Sequence, residues 1–246
     1  MPQNASKSEL LAVVKSWSGF RGIPENSIRM ILEKASLHDY APSHWLYRQG
    51  EPANRFFLLE SGLISLRDST SAGEETIIRF IFPGEPLGCV ALSGVNEHVL
   101  SAQVLRPSRT LEWDRDTALN LVRDVPRAAA NLLGDMISDV IYYHHHIRRL
   151  KTDPLERRVQ WGLLQLSRAL GKSTSEGITI EYPGHRQLAE LAGTTVYSVS
   201  RELGRLQSKG ILRKQRGQIL LLHPDRLAGG QFWQSVGPIT ESQIAS

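Results

Sequence analysis

The 246 residues contain one cysteine, Cys89. A lone thiol excludes an internal disulfide framework, a Cys-rich structural zinc site and a four-cysteine iron–sulfur cluster, so no oxidising compartment is implied. Long apolar runs are also missing. No stretch approaches the roughly 18 residues of a membrane span, and Met1 to Lys7 is polar, without the apolar segment of a secretory signal. The expectation is a cytoplasmic protein with no membrane association. Aromatic residues are sparse at 7%, while 41% hydrophobic and 22% charged residues describe an ordinary globular chain, enough for one large or two modest domains. A Gly-rich phosphate loop, a nucleophile elbow and a metal-spaced His/Glu motif are all absent, so no catalytic residue and no metal ligand set is assigned and an enzyme is not expected. The acidic pairs Glu74-Glu75 and Asp114/Asp116 read as turn and helix-start residues.

Charge is unevenly spread. Residues 1–150 carry 16 Lys+Arg against 17 Asp+Glu, a net of −1, whereas residues 151–230 carry 13 against 7, a net of +6. A basic C-terminal third joined to a slightly acidic remainder is the electrostatic footprint of a nucleic-acid reader, or else a merely solvated basic surface.

Along the chain, Ile23, Ile28, Ile31 and Leu32 recur at helical spacing within a helical lead-in from Phe20 to Tyr40. From Pro42 to Trp113, short apolar runs (Trp45–Tyr47, Phe56–Leu59, Leu63–Leu66, Thr76–Ile81) alternate with glycine turns at Gly50, Gly62, Gly73, Gly84 and Gly88. That punctuation predicts a small antiparallel barrel or sandwich. After Pro126 a helix is expected to about Lys151. Leu132, Met136, Val140, Tyr143, Ile147 and Leu150, at spacings of four and three, form a seam suited to a twin helix, and Leu133, Ile137 and Ile141 form a second stripe able to pack on the barrel. Asp153-Pro154-Leu155-Glu156 then reads as a new helix start, with Asp153 as N-cap, Pro154 at the first helical position and a hinge at Lys151–Asp153. That helix is expected to stop at a left-handed Gly171, with a polar stretch to Gly177 and a strand over Ile178–Tyr182.

Residues 184–210 have the layout of a helix-turn-helix. Leu188 and Leu191 face inward on its first helix, Gly193 permits the turn, and Thr194 or Thr195 caps the second helix. Val199, Leu203 and Leu206 bury one face of that second helix. Tyr197 and Arg201 are left outward with Ser198 and Ser200 beside them, and Arg205 and Lys209 lie further along. Such a helix suits a major groove. Ile211–Leu222 reads as two strands around a basic turn, a wing carrying Arg213, Lys214 and Arg216.

With these motifs in view, the chain resembles the Crp/Fnr superfamily of bacterial transcription regulators over roughly residues 20–227. The roll signatures are Arg48-Gln49-Gly50-Glu51-Pro52-Ala53, Leu58-Leu59-Glu60-Ser61-Gly62 and Phe82-Pro83-Gly84-Glu85-Pro86-Leu87-Gly88. Thr195-Val196-Tyr197-Ser198-Val199-Ser200-Arg201 is similar to the Val-Glu-Thr-Ile-Ser-Arg core of the Fnr branch. The resemblance implies an α+β chain: an N-terminal extension (1–19), an antiparallel jelly-roll-like β-roll sensor (20–125), a dimerisation helix (126–151), a winged helix-turn-helix (152–230) and a C-terminal tail (231–246). It implies a homodimer on double-stranded DNA with a near-palindromic operator, and RNA polymerase as a partner where transcription is activated. By the same resemblance Arg201 reads guanine, and His185, Arg186 and Ser198 position the phosphate backbone. Val196 either touches a thymine methyl or packs on its neighbours. Tyr197 stands where the family has a base-reading glutamate, which puts the usual half-site in doubt.

Cyclic-nucleotide members of the family hold the ribose with a Gly-Glu pair and the phosphate with an Arg-Ser pair. Here the first pair is Gly88-Cys89, and the arginine position falls within Val99-Leu100-Ser101. The purine-contacting helix positions correspond to about Tyr143 and His144. The resemblance therefore implies an effector other than cyclic AMP, and the lack of N-terminal cysteines excludes the Fnr cluster. Gly88, Cys89, His98, Leu100, Tyr143 and His144 are the candidate effector pocket. His144-His145-His146 diverge by about 100° per residue, so they cannot share one metal. His144 or His145, paired with Cys89 or His98, resembles the axial ligation of haem-sensing relatives, against the alternative of exposed polar residues near a helix end. A cyclic-nucleotide module of a signalling enzyme or channel is the other class; it fits the roll alone.

Overall fold

The computed structural model describes residues 7–69, 75–181, 185–215 and 217–227. The fold is α+β, and the chain divides into two units, 1–142 and 143–246.

In the first unit, α1 (Lys7–Val14) and α2 (Glu25–Glu33) precede β1 (Ser36–Tyr40), β2 (Trp45–Tyr47), β3 (Arg55–Ser69), β4 (Glu75–Ile81), β5 (Pro86–Leu87), β6 (Ser101–Asp114) and α3 (Arg115–Asp124). The strands form one antiparallel sheet ordered β1-β6-β3-β4, with β2 on β6 and β5 on β3. Side-chain alternation along β3 explains why this sheet has two cores. Phe57 and Leu59 point into the roll interior with Tyr47, Ile64, Ala102 and Val104. Leu58 points the other way, joining Leu111 and Trp113 of β6 against α1, α2 and α3. Trp113 Nε1 donates to the Ile31 carbonyl at 3.0 Å, so the buried indole is satisfied.

Three expectations change here. The helical lead-in ends at Glu33 and gives way to β1 before Tyr40, because Ser36–Tyr40 pairs with Ser108–Glu112 of β6. Gly62 is not a turn. It lies inside a continuous 15-residue β3, at φ +99°, where the register against β6 shifts around Ser61 and Leu63. A Cβ there would sit 2.5 Å from the Pro107 carbonyl oxygen and 2.6 Å from Ser108 Cα, so only glycine fits the bulge. Finally, α1 lies where only an extension was expected. Asp114 does start a helix, its carboxylate accepting from the Thr117 amide at 2.9 Å.

α4 (Pro126–Thr152) runs 27 residues, and the division between units falls within it. None of its side chains is buried. Its roll side is polar: Asn131 Nδ2 donates to the Gly19 and Arg21 carbonyls, Asp135 accepts from Ser18, and Asp139 pairs with Arg79. Leu132, expected in the seam, lies on this side and lines a cavity with Leu58 and Trp113. Leu133, Ile137 and Ile141 do not pack on the roll; they are 60, 52 and 52% exposed. With Met136, Val140 and Ile147, also exposed, they form one broad apolar face rather than two stripes.

In the second unit, α5 (Leu155–Leu170), β7 (Gly171–Thr174), β8 (Gly177–Glu181), α6 (His185–Ala192), α7 (Val196–Ser208), β9 (Leu212–Gln215) and β10 (Gln218–Leu221) make a helical cluster on a four-stranded sheet ordered β7-β8-β10-β9. Val159, Leu163 and Leu166 of α5 are fully buried. Pro154 itself occupies the N-cap position of α5 and makes no side-chain cap bond; Asp153 instead faces Arg149 at 3.9 Å. Gly171 is extended (φ −70°, ψ 144°), not left-handed, and opens β7, so the polar stretch is half of a hairpin. A Cβ at Gly171 would lie 2.1 Å from the Ser167 carbonyl oxygen, and that close approach requires the glycine. The turn at Gly73-Glu74, Tyr182 and the tail with Phe232, Trp233 and Ile239 lie outside the described residues.

Gly62→Ala is expected to lower folding stability by about 2 kcal/mol or more, since both the positive φ and the backbone approach oppose a Cβ. Urea unfolding followed by tryptophan fluorescence checks this; an unchanged midpoint would show that the bulge relaxes freely.

Candidate nucleic-acid interface

α6 and α7 are joined by a turn in which Gly193 takes φ +57°. Leu188, Leu191, Val199, Leu203 and Leu206 are all essentially buried, so the helical pair is fixed by its own apolar faces and by α5. Of the two threonines, Thr195 is the cap: its Oγ1 accepts from the Ser198 amide at 3.2 Å and donates to Ser198 Oγ at 3.1 Å. Ser198 is therefore half-buried within the cap, while Ser200 is exposed.

The outward face of α7 is open. Tyr197 is 76% exposed and Val196 49%. Arg201, one turn after Tyr197, is exposed, and among the described residues it has no ion-pair partner. Arg205, in contrast, faces two carboxylates, Glu156 and Glu202, each at 3.7 Å. Lys209, at the C-cap, is exposed, and α7's last-turn cations favour the negative end of its dipole. Gly204 lies on the same face with open space around it.

On α6, His185 is half-buried, and burial together with Lys214 holds its imidazole below the usual range, which favours the neutral ring at neutral pH. Arg186 is exposed and paired with Glu190 at 3.2 Å. In the wing hairpin β9–β10, Arg213 and Lys214 are exposed, Arg213 beside Glu176 at 3.3 Å. Arg216 lies outside the described residues. Exposed ion pairs of this kind are worth about 1 kcal/mol or less, so these arginines can exchange a carboxylate for a phosphate at little cost.

Two features were not anticipated from sequence. Glu202 is a carboxylate on the buried face of α7, 3% exposed, accepting from Gln160 Nε2 of α5 at 2.8 Å. It ties the exposed helix to its support, and its signal was there to see: position 202 falls in the buried spacing of 199, 203 and 206. The second is Leu150. It was expected in the helix seam, but a Cβ on Gly193 would come within 2.8 Å of Leu150 Cδ2, so the last turn of α4 touches the helix-turn-helix corner. Arg158 donates to the Gly193 carbonyl at 3.1 Å on the same corner. The expected hinge is braced, with His146 and Arg149 packed on Trp161 at 4.9 and 5.5 Å.

Of the residues expected at an effector pocket, Gly88, Cys89, His98 and Leu100 lie in the first unit and Tyr143 and His144 in the second. Gly88 takes φ +71°, and an added Cβ would meet the Phe57 ring and the Arg55 carbonyl, both at 2.9 Å. Burial pushes the Cys89 thiol up to about 11, so it is not a thiolate at neutral pH. His98 is 4% exposed and stacked on Tyr47 at 3.6 Å. Leu100 and Tyr143 are half-buried and His144 and His145 exposed. The nearly buried roll arginines are committed, Arg67 to Glu75 and Arg79 to Glu85 and Asp139. Within the first unit, His98, one of the roll candidates for a haem ligand, has its ring stacked flat on Tyr47. Among the described residues no three His, Cys, Asp or Glu side chains could hold one metal ion.

Residues 37–124 match the cyclic nucleotide-binding domain family, and residues 157–229 match the Crp-like helix-turn-helix domain family. The chain is 21% identical over 210 residues to the CRP-like cAMP-activated global transcriptional regulator of Mycobacterium tuberculosis, covering 85% of this chain and 94% of that protein. It is 26% identical to the cyclic AMP receptor protein of Thermus thermophilus, covering 81% and 90%. The structure of the c-di-GMP responsive global regulator CLP of Xanthomonas campestris superposes with a TM-score of 0.71 at 19% identity over 80% of this chain and 99% of that one, a likeness of fold. Among the described residues no helix is long and apolar enough to cross a membrane.

Thr195→Ala is expected to cost the C-terminal unit about 1 kcal/mol by removing the cap acceptor, while Thr195→Ser keeps it. Denaturation of the two variants checks this; equal losses would show that the methyl group, not the hydroxyl, holds the corner.

Proposed function

The chain belongs to the Crp/Fnr superfamily of transcription regulators, and on that premise we propose that it acts as a homodimer reading a near-palindromic operator, with its roll answering to an effector other than cyclic AMP. The observation that carries this reading is the outward face of α7. A capped, well-buried helix that leaves Tyr197, Ser200 and Arg201 exposed, with Arg201 unpaired among the described residues, is built to meet something outside the chain. Arg201 has the fork geometry to bond guanine O6 and N7, and Tyr197 offers a phenol where a carboxylate would accept from cytosine, so the half-site differs from the usual one. His185, Arg186, Arg213 and Lys214 flank that helix as phosphate contacts. The division of labour follows the sequence: sensor over 20–125, dimer helix over 126–151, reading head over 152–230.

The exposed apolar face of α4 supports the dimer, since two copies of the face can cover one another. Two reading heads related by a two-fold axis would meet half-sites about 34 Å apart, one helical turn. An effector other than cyclic AMP is favoured by Gly88-Cys89 in place of Gly-Glu, by an interior filled by Tyr47, Phe57, Leu59 and Val104, and by the pairing of Arg67 and Arg79 with carboxylates.

Selection from random duplexes, followed by titration of the winning sequence, tests the reading. Arg201→Ala is expected to weaken the selected duplex by about 1–3 kcal/mol and to relax preference at one base pair per half-site. Equal weakening on scrambled DNA would instead make Arg201 a phosphate contact.

A further inference from the structure

α7 carries two arginines one turn apart, Arg201 and Arg205, and their surroundings differ. Arg201 has no ion-pair partner among the described residues, whereas Arg205 Nη1 lies 3.7 Å from Glu202 Oε2 and 3.7 Å from Glu156 Oε1. The two carboxylates reach it from different elements. Glu202 precedes it by three residues on α7, and Glu156 sits in the first turn of α5. Arg205 is itself in the last turn of α7, where the unpaired carbonyls of the helix end add a third negative influence.

The hold on Arg205 comes from Glu202 more than from the exposed Glu156. The Glu202 side chain is 3% exposed, its Oε1 accepts from Gln160 Nε2 at 2.8 Å, and among the described residues Arg205 is the cation paired with it. A carboxylate that loses its cation inside a protein is penalised far more than one that loses it in water. Arg213 supplies the contrast. Its partner Glu176 is 63% exposed, so water takes the place of that arginine when it turns to a phosphate. Arg205 has no such exchange, because its departure strands Glu202.

From this bracket we infer that Glu202 and Glu156 are positioning residues for the DNA contact: they hold Arg205 off the phosphate backbone, although it stands one turn from Arg201. The inference rests on α7 being the reading helix, as proposed above. A phosphate contact strengthens binding to any sequence alike, whereas a base contact discriminates. Withholding one cation per reading head lowers the affinity for arbitrary DNA and leaves a larger share of the affinity for a cognate duplex to Arg201. Specificity is then supported by suppressing the unwanted complex as well as by favouring the wanted one.

The test is the salt dependence of the full chain on a scrambled duplex, where log K against log salt has a slope of about 0.9 for each phosphate neutralised. Arg205→Ala alone is expected to leave that slope unchanged. Glu156→Gln combined with Glu202→Gln, which keeps an acceptor for Gln160, is expected to steepen it by about 0.9 per reading head. Adding Arg205→Ala to that pair is expected to take the steepening away. A slope that falls by about 0.9 per head in Arg205→Ala overturns the inference, and that measurement involves no buried substitution. Failure of the glutamine pair to steepen the slope, or a steepening that survives the loss of Arg205, overturns it too, since the carboxylates would then act by net charge or not at all. Selection from random duplexes separates the two levels. A chain that selects no duplex removes the DNA-binding reading and the inference together, whereas one that keeps its base preference but gives any of the contrary slopes loses the inference alone.

Discussion

A helix about 40 Å long that buries none of its own side chains is the constraint on which the remaining features depend. Isolated helices of this kind gain little from propensity and take their stability from a packed apolar face. In α4 the roll-facing side is held by polar contacts from Asn131, Asp135 and Asp139, while Leu133, Ile137, Val140, Ile141 and Ile147 stay in water. At about 25 cal/mol per Å² of apolar area, leaving several such side chains exposed wastes several kcal/mol that a second copy of the face would recover. The same helix ends with Leu150 against the Gly193 corner, so a change in how α4 is covered lies within a few residues of the turn that sets the reading helix.

The reading surface divides its cations into two kinds. Arg205, Arg186 and Arg213 are paired with carboxylates of their own unit, which keeps them ordered and weakens their field at a distance. Arg201 has no ion-pair partner among the described residues, and it stands one turn from the exposed Tyr197. Phosphate contacts position and base contacts specify, and the function proposed above assigns the two roles by whether the arginine already has a partner.

The helix-turn-helix was legible in the sequence because its signals are local: a 3.6-residue apolar period, a threonine cap, a left-handed glycine and a basic hairpin all lie within 40 residues. The roll was legible only as a class. Its principal pairing joins β3 to β6 across more than thirty residues, and no local pattern reports that Gly62 is a bulge inside one strand rather than a turn between two. Gly171 and Pro154 failed for a related reason. Each has a standard role at a helix end, but Gly171 opens β7 and pairs with Ile180 of β8, which holds it extended, and Pro154 takes the cap position itself. The stripes of α4 were read from apolar spacing alone, whereas the side that meets the roll carries Asn131, Asp135 and Asp139, and Leu133, Ile137 and Ile141 are exposed.

The account rests most heavily on a second copy covering α4, and sedimentation equilibrium of the full chain tests it directly. It predicts a species of twice 27.5 kDa that Val140→Glu converts to the monomer without unfolding it. A wild-type chain that stays monomeric at every concentration would contradict it, because the apolar face would then have another occupant or none.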